Sequence, residues 1–283
     1  MNSMEKGISN KILKVLSSAI LILGALFILY PFFLTVITAI KSPAESSGSF
    51  FALPKSLYLN NFVEVVQKAN FFVFFGNSAL VTIVSVTIIQ IFMPMCAYAI
   101  SRNMSRHRYY KAMYRYLIVG IFVPFQVIMV PLVKYLSYLQ ICNIPGLIIM
   151  YITLAAPQGV FLLVNYIKSV PPDLEEAAYI DGCSKMSAYF KIVLPLLKPM
   201  LWTIIILNAL WIWNDFQMPL LILNQSQDMW TFPLFQYNFK SQYSFDYNMA
   251  FASYLISMVP VMAVYAFAQK YIVAGLTQGA VKT

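Results

Sequence analysis

The chain has 283 residues, 60% of them hydrophobic and 16% aromatic, with only 10% charged and a net charge of +9. A mean hydropathy of +0.73 is far above what a soluble domain needs to fill its core, so this composition excludes a soluble globular protein. The basic excess does not read as a nucleic-acid surface, because Lys and Arg are spread over short segments between apolar runs.

The bilayer core takes about 20 apolar residues of helix to cross. Uncharged intervals between Lys14 and Lys41, Lys68 and Arg102, Arg115 and Lys134, Lys134 and Lys168, and Asp246 and Lys270 each meet or approach that length. A further interval, Met200 to Leu223, is broken only by Asp215. These predict six transmembrane helices, at Val15 to Ile40, Phe71 to Ile100, Tyr116 to Val133, Ile144 to Ile167, Met200 to Leu223 and Met249 to Ala268. Continuous apolar runs favour helices over barrel strands, which would alternate sides at every residue. The first run is too long for a cleaved leader and is read as a retained span. The fold class is thus an all-α integral membrane protein, organised as one domain over 1–283.

Orientation follows from the basic residues. With both termini on one side, the opposite side keeps only Lys41, Lys55, Lys68, Lys134 and Lys240, and every other Lys and Arg falls on the first side. That side is the cytoplasm. The lone His107 lies among Arg102, Arg106 and Arg108, a solvated basic loop. Cys96, Cys142 and Cys183 are scattered, with neither a disulfide framework nor metal-ligand spacing.

The acidic residues are concentrated in the cytoplasmic loop 168–199. Pro171-Pro172 stops the fourth helix, since proline lacks the N–H that would continue it. Asp173 then stands at an N-cap position with Glu176 in capping-box register, and Glu175 and Glu176 occupy the first turn, where negative charge is favoured. Gly182 supplies the left-handed closure, which predicts a short helix over Leu174 to Asp181. Such a helix is about 12 Å long and unstable alone in water. Something must hold it, either the rest of this domain or a partner's groove, and the narrow Ala177-Ala178 face lets another backbone approach.

Glu176-Ala177-Ala178, Gly182, then Ile192, Leu194 and Pro195 resembles the EAA loop of importer-type ATP-binding-cassette permeases, spaced EAA-x3-G-x9-I-x-LP. Looser likenesses to the carbohydrate branch lie at Leu53-Pro54, Asn60-Asn61-Phe62, Asn77-Ser78, Trp213 to Phe216 with Pro219-Leu220, and in the tail from Ala274 to Lys282. The six spans and the tail look most like the maltose-type inner-membrane subunit, though the first outer region is shorter. The resemblance implies an ABC importer type I permease fold in a bacterial plasma membrane, working with a second permease, a dimer of ATP-binding subunits and an extracytoplasmic solute-binding protein. It implies ATPase coupling through Glu175, Glu176, Ala177, Ala178, Asp181, Gly182, Ile192, Leu194 and Pro195, and an ATPase-interface tail at Gly275, Thr277, Gln278 and Gly279.

The chain contains no G-x-x-x-x-G-K-[ST] phosphate loop. The expectation is a transport subunit without an ATPase site or cofactor of its own, with ATP bound by a partner. An ionised Asp at the centre of a span costs about 2.5 to 3.5 kcal/mol on insertion scales, so Asp215 must face protein or water. Two readings stand: Asp215 lies with Asn208 and Asn214 on a sugar translocation path, or it is a structural anchor. The rival function is a self-contained secondary transporter or channel, which would require several intramembrane ionisable groups.

Overall fold

The computed structural model describes the backbone of residues 2–237, 239 and 246–280, and side chains at 13–237, 239 and 246–269. In chain order it contains α1 (Asn2–Ala39), α2 (Pro43–Gly48), α3 (Asn60–Gln67), α4 (Phe71–Asn103), α5 (Arg108–Ile121), α6 (Phe125–Tyr138), α7 (Ile144–Ser169), α8 (Asp173–Ile180) and α9 (Lys185–Ala188). A π-helical turn (Tyr189–Val193) follows, then α10 (Leu194–Leu196), α11 (Lys198–Asn214), α12 (Gln217–Leu223), a 3-10 turn (Gln227–Met229), α13 (Phe232–Tyr237) and α14 (Tyr247–Ala280).

Four helices have the length and apolarity to cross a membrane as single rods, at Leu13–Ala39, Phe71–Asn103, Ile144–Ser169 and Tyr247–Gln269. The other two expected spans are not straight. Arg108–Ile121 and Phe125–Tyr138 meet at 104°, and Lys185–Leu196 meets Lys198–Asn214 at 71°. Counting each bent pair as one span gives six.

Proline accounts for the breaks. Pro124 is the extended N-cap of α6, and it disfavours helical geometry at Val123. The expected continuous helix Met200 to Leu223 is corrected in the same way: α11 stops at Asn214 and the chain resumes as α12 after the extended Asp215. Pro219 cannot donate to the carbonyl of Asp215 and its ring would collide with it. Pro195 likewise lacks a donor for the carbonyl of Lys191, where the ladder widens into the π turn.

Contacts divide the chain into two compact units, Met1–Ala69 with Gln236–Met258, and Asn70–Phe235 with Val259–Thr283. In the first, the last carbonyls of α1 are satisfied by side chains. Asn61 donates to the carbonyls of Ala39 (2.7 Å) and Lys41 (2.8 Å). Asn248 donates to those of Thr38 (2.8 Å) and Lys41 (2.9 Å). Lys41 is only 1% exposed, and its ammonium donates to the carbonyls of Ser49 (3.1 Å) and Phe50 (3.0 Å). A residue that reads as a loop charge is therefore the hub of a folded corner, with its charge solvated by backbone oxygens.

The second unit is built on α4 packed along α7. Ile89, Met93, Ala97 and Ile100 of α4 are buried with Leu147, Leu163, Val164 and Ile167 of α7. The approach is close at Gly159, where an added Cβ would meet the sulfur of Met93 at 2.5 Å. Asn77 and Ser78 hold the chain after α12: Asn77 donates to the carbonyls of Asp228 (2.8 Å) and Trp230 (3.0 Å), and Ser78 accepts from the N–H of Phe232 (2.8 Å). The outward faces, for example Ile83, Ile91, Phe92 and Ile149, are exposed and apolar, as a lipid-facing surface requires.

Candidate functional site

Two places in the second unit concentrate polar chemistry, the loop around α8 and a cavity where α5 bends into α6 and α11 gives way to α12. The α8 helix runs one residue earlier than the sequence suggests, Asp173–Ile180, with Pro172 as N-cap. The capping box does not form. No side chain caps this end; instead the N–H groups of Glu175 (2.8 Å) and Glu176 (3.1 Å) donate to the Pro172 carbonyl, because Pro172 is itself helical.

The other end closes as expected. Gly182 is left-handed, with φ +81°. Its N–H donates to Tyr179 (3.1 Å) and that of Cys183 to Ala178 (2.9 Å), the paired bonds of a Schellman closure.

Glu175 turns inward and is 4% exposed. Its Oε2 accepts from the Tyr98 hydroxyl (2.5 Å) and its Oε1 from Arg102 Nε (2.7 Å). A second guanidinium nitrogen of Arg102 donates to the Val170 carbonyl (3.0 Å), between α7 and α8. Tyr98 also packs on Tyr189 of the π turn, with ring centroids 5.0 Å apart. One carboxylate thus ties the short helix to the end of α4. Opposite it, Glu176, Ala177, Asp181 and Gly182 are exposed, as are the apolar Leu174, Met186 and Ile180, the last at 87%. Ile192 and Leu194 are half-buried behind this face, and Pro195 is exposed.

The cavity has a volume of about 430 Å³, within the usual size of small-molecule sites. Gly120, Ile121 and Phe125 bring the break between α5 and α6 to its wall, and Asp215 and Gln217 bring the break between α11 and α12. Gln126, Gln158, Asn208 and Trp211 complete its polar lining.

Asp215 holds the second break together. Its Oδ2 accepts from the Tyr151 hydroxyl (2.9 Å) and its Oδ1 from the N–H of Gln217 (3.0 Å). Tyr151 in turn meets Trp211 edge-on, with centroids 5.3 Å apart. Gln217 Nε2 reaches the sulfur of Met129 (3.4 Å) on α6, joining one broken span to the other. Asn208 donates to the Ile204 carbonyl of its own helix (2.8 Å). Breaks of this kind are tolerated at membrane depth where the freed backbone lines a cavity.

Compared with known proteins, residues 95–278 match the family described as binding-protein-dependent transport system inner membrane component. The chain belongs to this family. The permease is 48% identical over 93% of its length to the multiple sugar-binding transport system permease protein MsmG of Streptococcus mutans, covering 95% of that protein. It is 36% identical over 89% of its length to the probable starch degradation products transport system permease protein AmyC of Thermoanaerobacterium thermosulfurigenes, covering 91% of it. Among solved structures it is similar to a bacterial ABC transporter involved in import of the acidic polysaccharide alginate. That match has a TM-score of 0.81 at 25% identity and covers 93% of this chain and 98% of that one. The permease is a multi-pass membrane protein with the ABC importer permease fold.

The permease therefore brings Asn208 and Asp215 to one cavity and leaves Asn214 off it. Asn214 is exposed and donates to the Leu210 carbonyl (2.8 Å); one helical position from Asp215, it faces another way. Gly275, Thr277, Gln278 and Gly279 continue α14 as helix, and their side chains lie outside the described residues. Sequence reasoning missed Tyr98 and Arg102 at the loop, and Gln126, Tyr151, Gln158, Trp211 and Gln217 at the cavity. The usable signals were Arg102, a basic residue ending an apolar span, and the prolines that mark the breaks.

Proposed function

We propose that this chain is the membrane-spanning subunit of a carbohydrate importer, moving oligosaccharides into the cell on ATP hydrolysed by a separate subunit. The reading of the substrate rests on relatives named for multiple sugars and for starch degradation products. The observation that carries the coupling is the α8 region: a short helix closed at Gly182, tied inward through Glu175, and presenting Glu176, Ala177 and Ile180 outward. A helix of this length is not stable alone. Its inward face is secured by α4, and its outward face suits the groove of an ATPase subunit.

On this reading both termini and the α8 loop are cytoplasmic, a placement the distribution of Lys and Arg supports. The chain acts as a single permease domain with no ATPase site or cofactor of its own, and the tail at Gly275, Thr277, Gln278 and Gly279 meets the ATP-binding dimer. A second permease completes the path, and an extracytoplasmic solute-binding protein delivers the sugar. When the ATPase subunits close on ATP, α8 moves with them, and Arg102 and Tyr98 pass that movement to α4. The cavity at the helix breaks is the part of the path this subunit contributes. The coupling is a two-state element biased by a ligand bound elsewhere.

Substituting Ile180→Glu in the complete reconstituted complex tests the docking face. Uptake is expected to fall while membrane insertion of the permease is unchanged. Unchanged uptake would overturn the coupling role of α8. Gradient-driven flux through the chain alone, indifferent to ATP, would instead establish a secondary transporter.

A further inference from the structure

The cavity has a distinct charge pattern. Its polar lining consists of the amides of Gln126, Gln158, Asn208 and Gln217, the indole of Trp211 and the carboxylate of Asp215, without a Lys, Arg or His among the described residues. Both oxygens of Asp215 accept hydrogen bonds, from Tyr151 and from the Gln217 N–H. That is how an ionised carboxylate, an acceptor only, is satisfied. Neither donor carries a charge, so the negative charge is solvated but not cancelled.

Helix dipoles do not cancel it either. Each break sets a C-terminal helix end beside an N-terminal one, α5 against α6 and α11 against α12. The partial charges at such ends are opposite and of similar size. What remains is the field of one carboxylate in a partly enclosed, low-dielectric wall, where field lines are focused.

We infer that this cavity favours uncharged oligosaccharides and disfavours anionic ones such as uronides and sulfonated sugars. Amides and an indole answer hydroxyl groups and the apolar face of a sugar ring, whereas a carboxylate on the ligand would meet Asp215 with no cation among the described lining residues. The inference rests on the reading of the cavity as part of the translocation path. The solved alginate transporter handles an acidic polysaccharide, so a shared fold does not dictate a shared charge preference.

The test is the chemical reactivity of a thiol placed in the cavity of the complete complex. Cys96, Cys142 and Cys183 are first replaced by Ser, and Gln158, which is exposed in the cavity wall, is changed by Gln158→Cys. Three methanethiosulfonates of similar size are compared, carrying a hydroxyethyl, a sulfonatoethyl or a trimethylammonium-ethyl group. Each rate is divided by the rate on free cysteine. The hydroxyethyl reagent is expected to outpace the sulfonate on the order of fivefold, with the cationic reagent faster again.

Asp215→Asn is expected to bring the three rates together. Because that change touches the helix break, Gln126→Lys serves as an independent variant on the intact Asp215 background. Gln126 is exposed on the wall, and the added cation is expected to reverse the order of the sulfonate and cationic reagents. Equal normalised rates that Gln126→Lys leaves unmoved would overturn the charge preference alone. No modification by any reagent, with or without trapped nucleotide, would show a cavity closed to solvent, and would overturn the path reading and this inference with it.

Discussion

The α8 loop and the cavity each hold one inward-facing acid, Glu175 buried and Asp215 half-buried, and the two are treated in opposite ways. Glu175 is met by a guanidinium at 2.7 Å and by a phenol; Asp215 is met by a phenol and a backbone N–H, both neutral. The first arrangement cancels charge and joins three segments, α4, the end of α7 and α8. The second keeps its charge and ties the break between α11 and α12 to Tyr151 of α7. A carboxylate paired with a cation makes a mechanical joint, because separating the two leaves both charges poorly solvated. One solvated by dipoles beside an open cavity leaves a field that a passing solute experiences.

The largest expected effect breaks the joint. Arg102→Ala strands the Glu175 carboxylate in a site where it is 4% exposed, and loss of one partner of a buried pair costs about 3 kcal/mol or more. Thermal unfolding of the purified complex should show that loss. The double exchange Glu175→Arg with Arg102→Glu should recover part of it, whereas roles of the two side chains independent of their pairing would show no recovery.

Tyr151→Phe should come next, at about 1.5 to 3 kcal/mol, the value of a hydrogen bond to a charged group. Unlike the first change it should disturb the cavity and leave the coupling of ATP hydrolysis intact. Gly182→Ala forces a side chain into the left-handed region at φ +81° and should cost about 1 to 2 kcal/mol, read as lower melting temperature and weaker ATPase coupling. Asn214→Ala, exposed and bonded only to its own helix, should stay within about 0.5 kcal/mol with uptake unchanged. A large uptake defect there would place Asn214 on the path after all.

The two regions also differ in how far the sequence revealed them. The loop is legible because its signals are local: Pro171-Pro172 before, acids in the first turn, Gly182 after, and the spacing through Pro195. The side chain that fixes it was not, since Arg102 lies far along the chain from Glu175 and reads only as a basic residue closing a span. At the cavity, Asp215 stands out as the acid in an apolar run, yet the lining depends on where helices break. Pro124 and Pro219 mark those breaks, but proline is common in membrane helices, and neither position distinguishes itself from Pro31 or Pro260, which lie inside continuous helices. Asn208 and Asn214 look alike in sequence, and only the helix rotation and the break at Asp215 separate their directions. Lys41 reads as exposed until Asn61 and Asn248 are seen to share its carbonyl.

The measurement that tests the account most directly is the number of ATP molecules hydrolysed per sugar imported by proteoliposomes holding the complete complex, native against Arg102→Ala. If the Glu175–Arg102 joint transmits the movement of α8 to α4, hydrolysis continues while import falls, and the ratio rises. If the ratio stays at the native value, whether both activities persist or both decline together, the joint is structural only and the coupling route runs elsewhere.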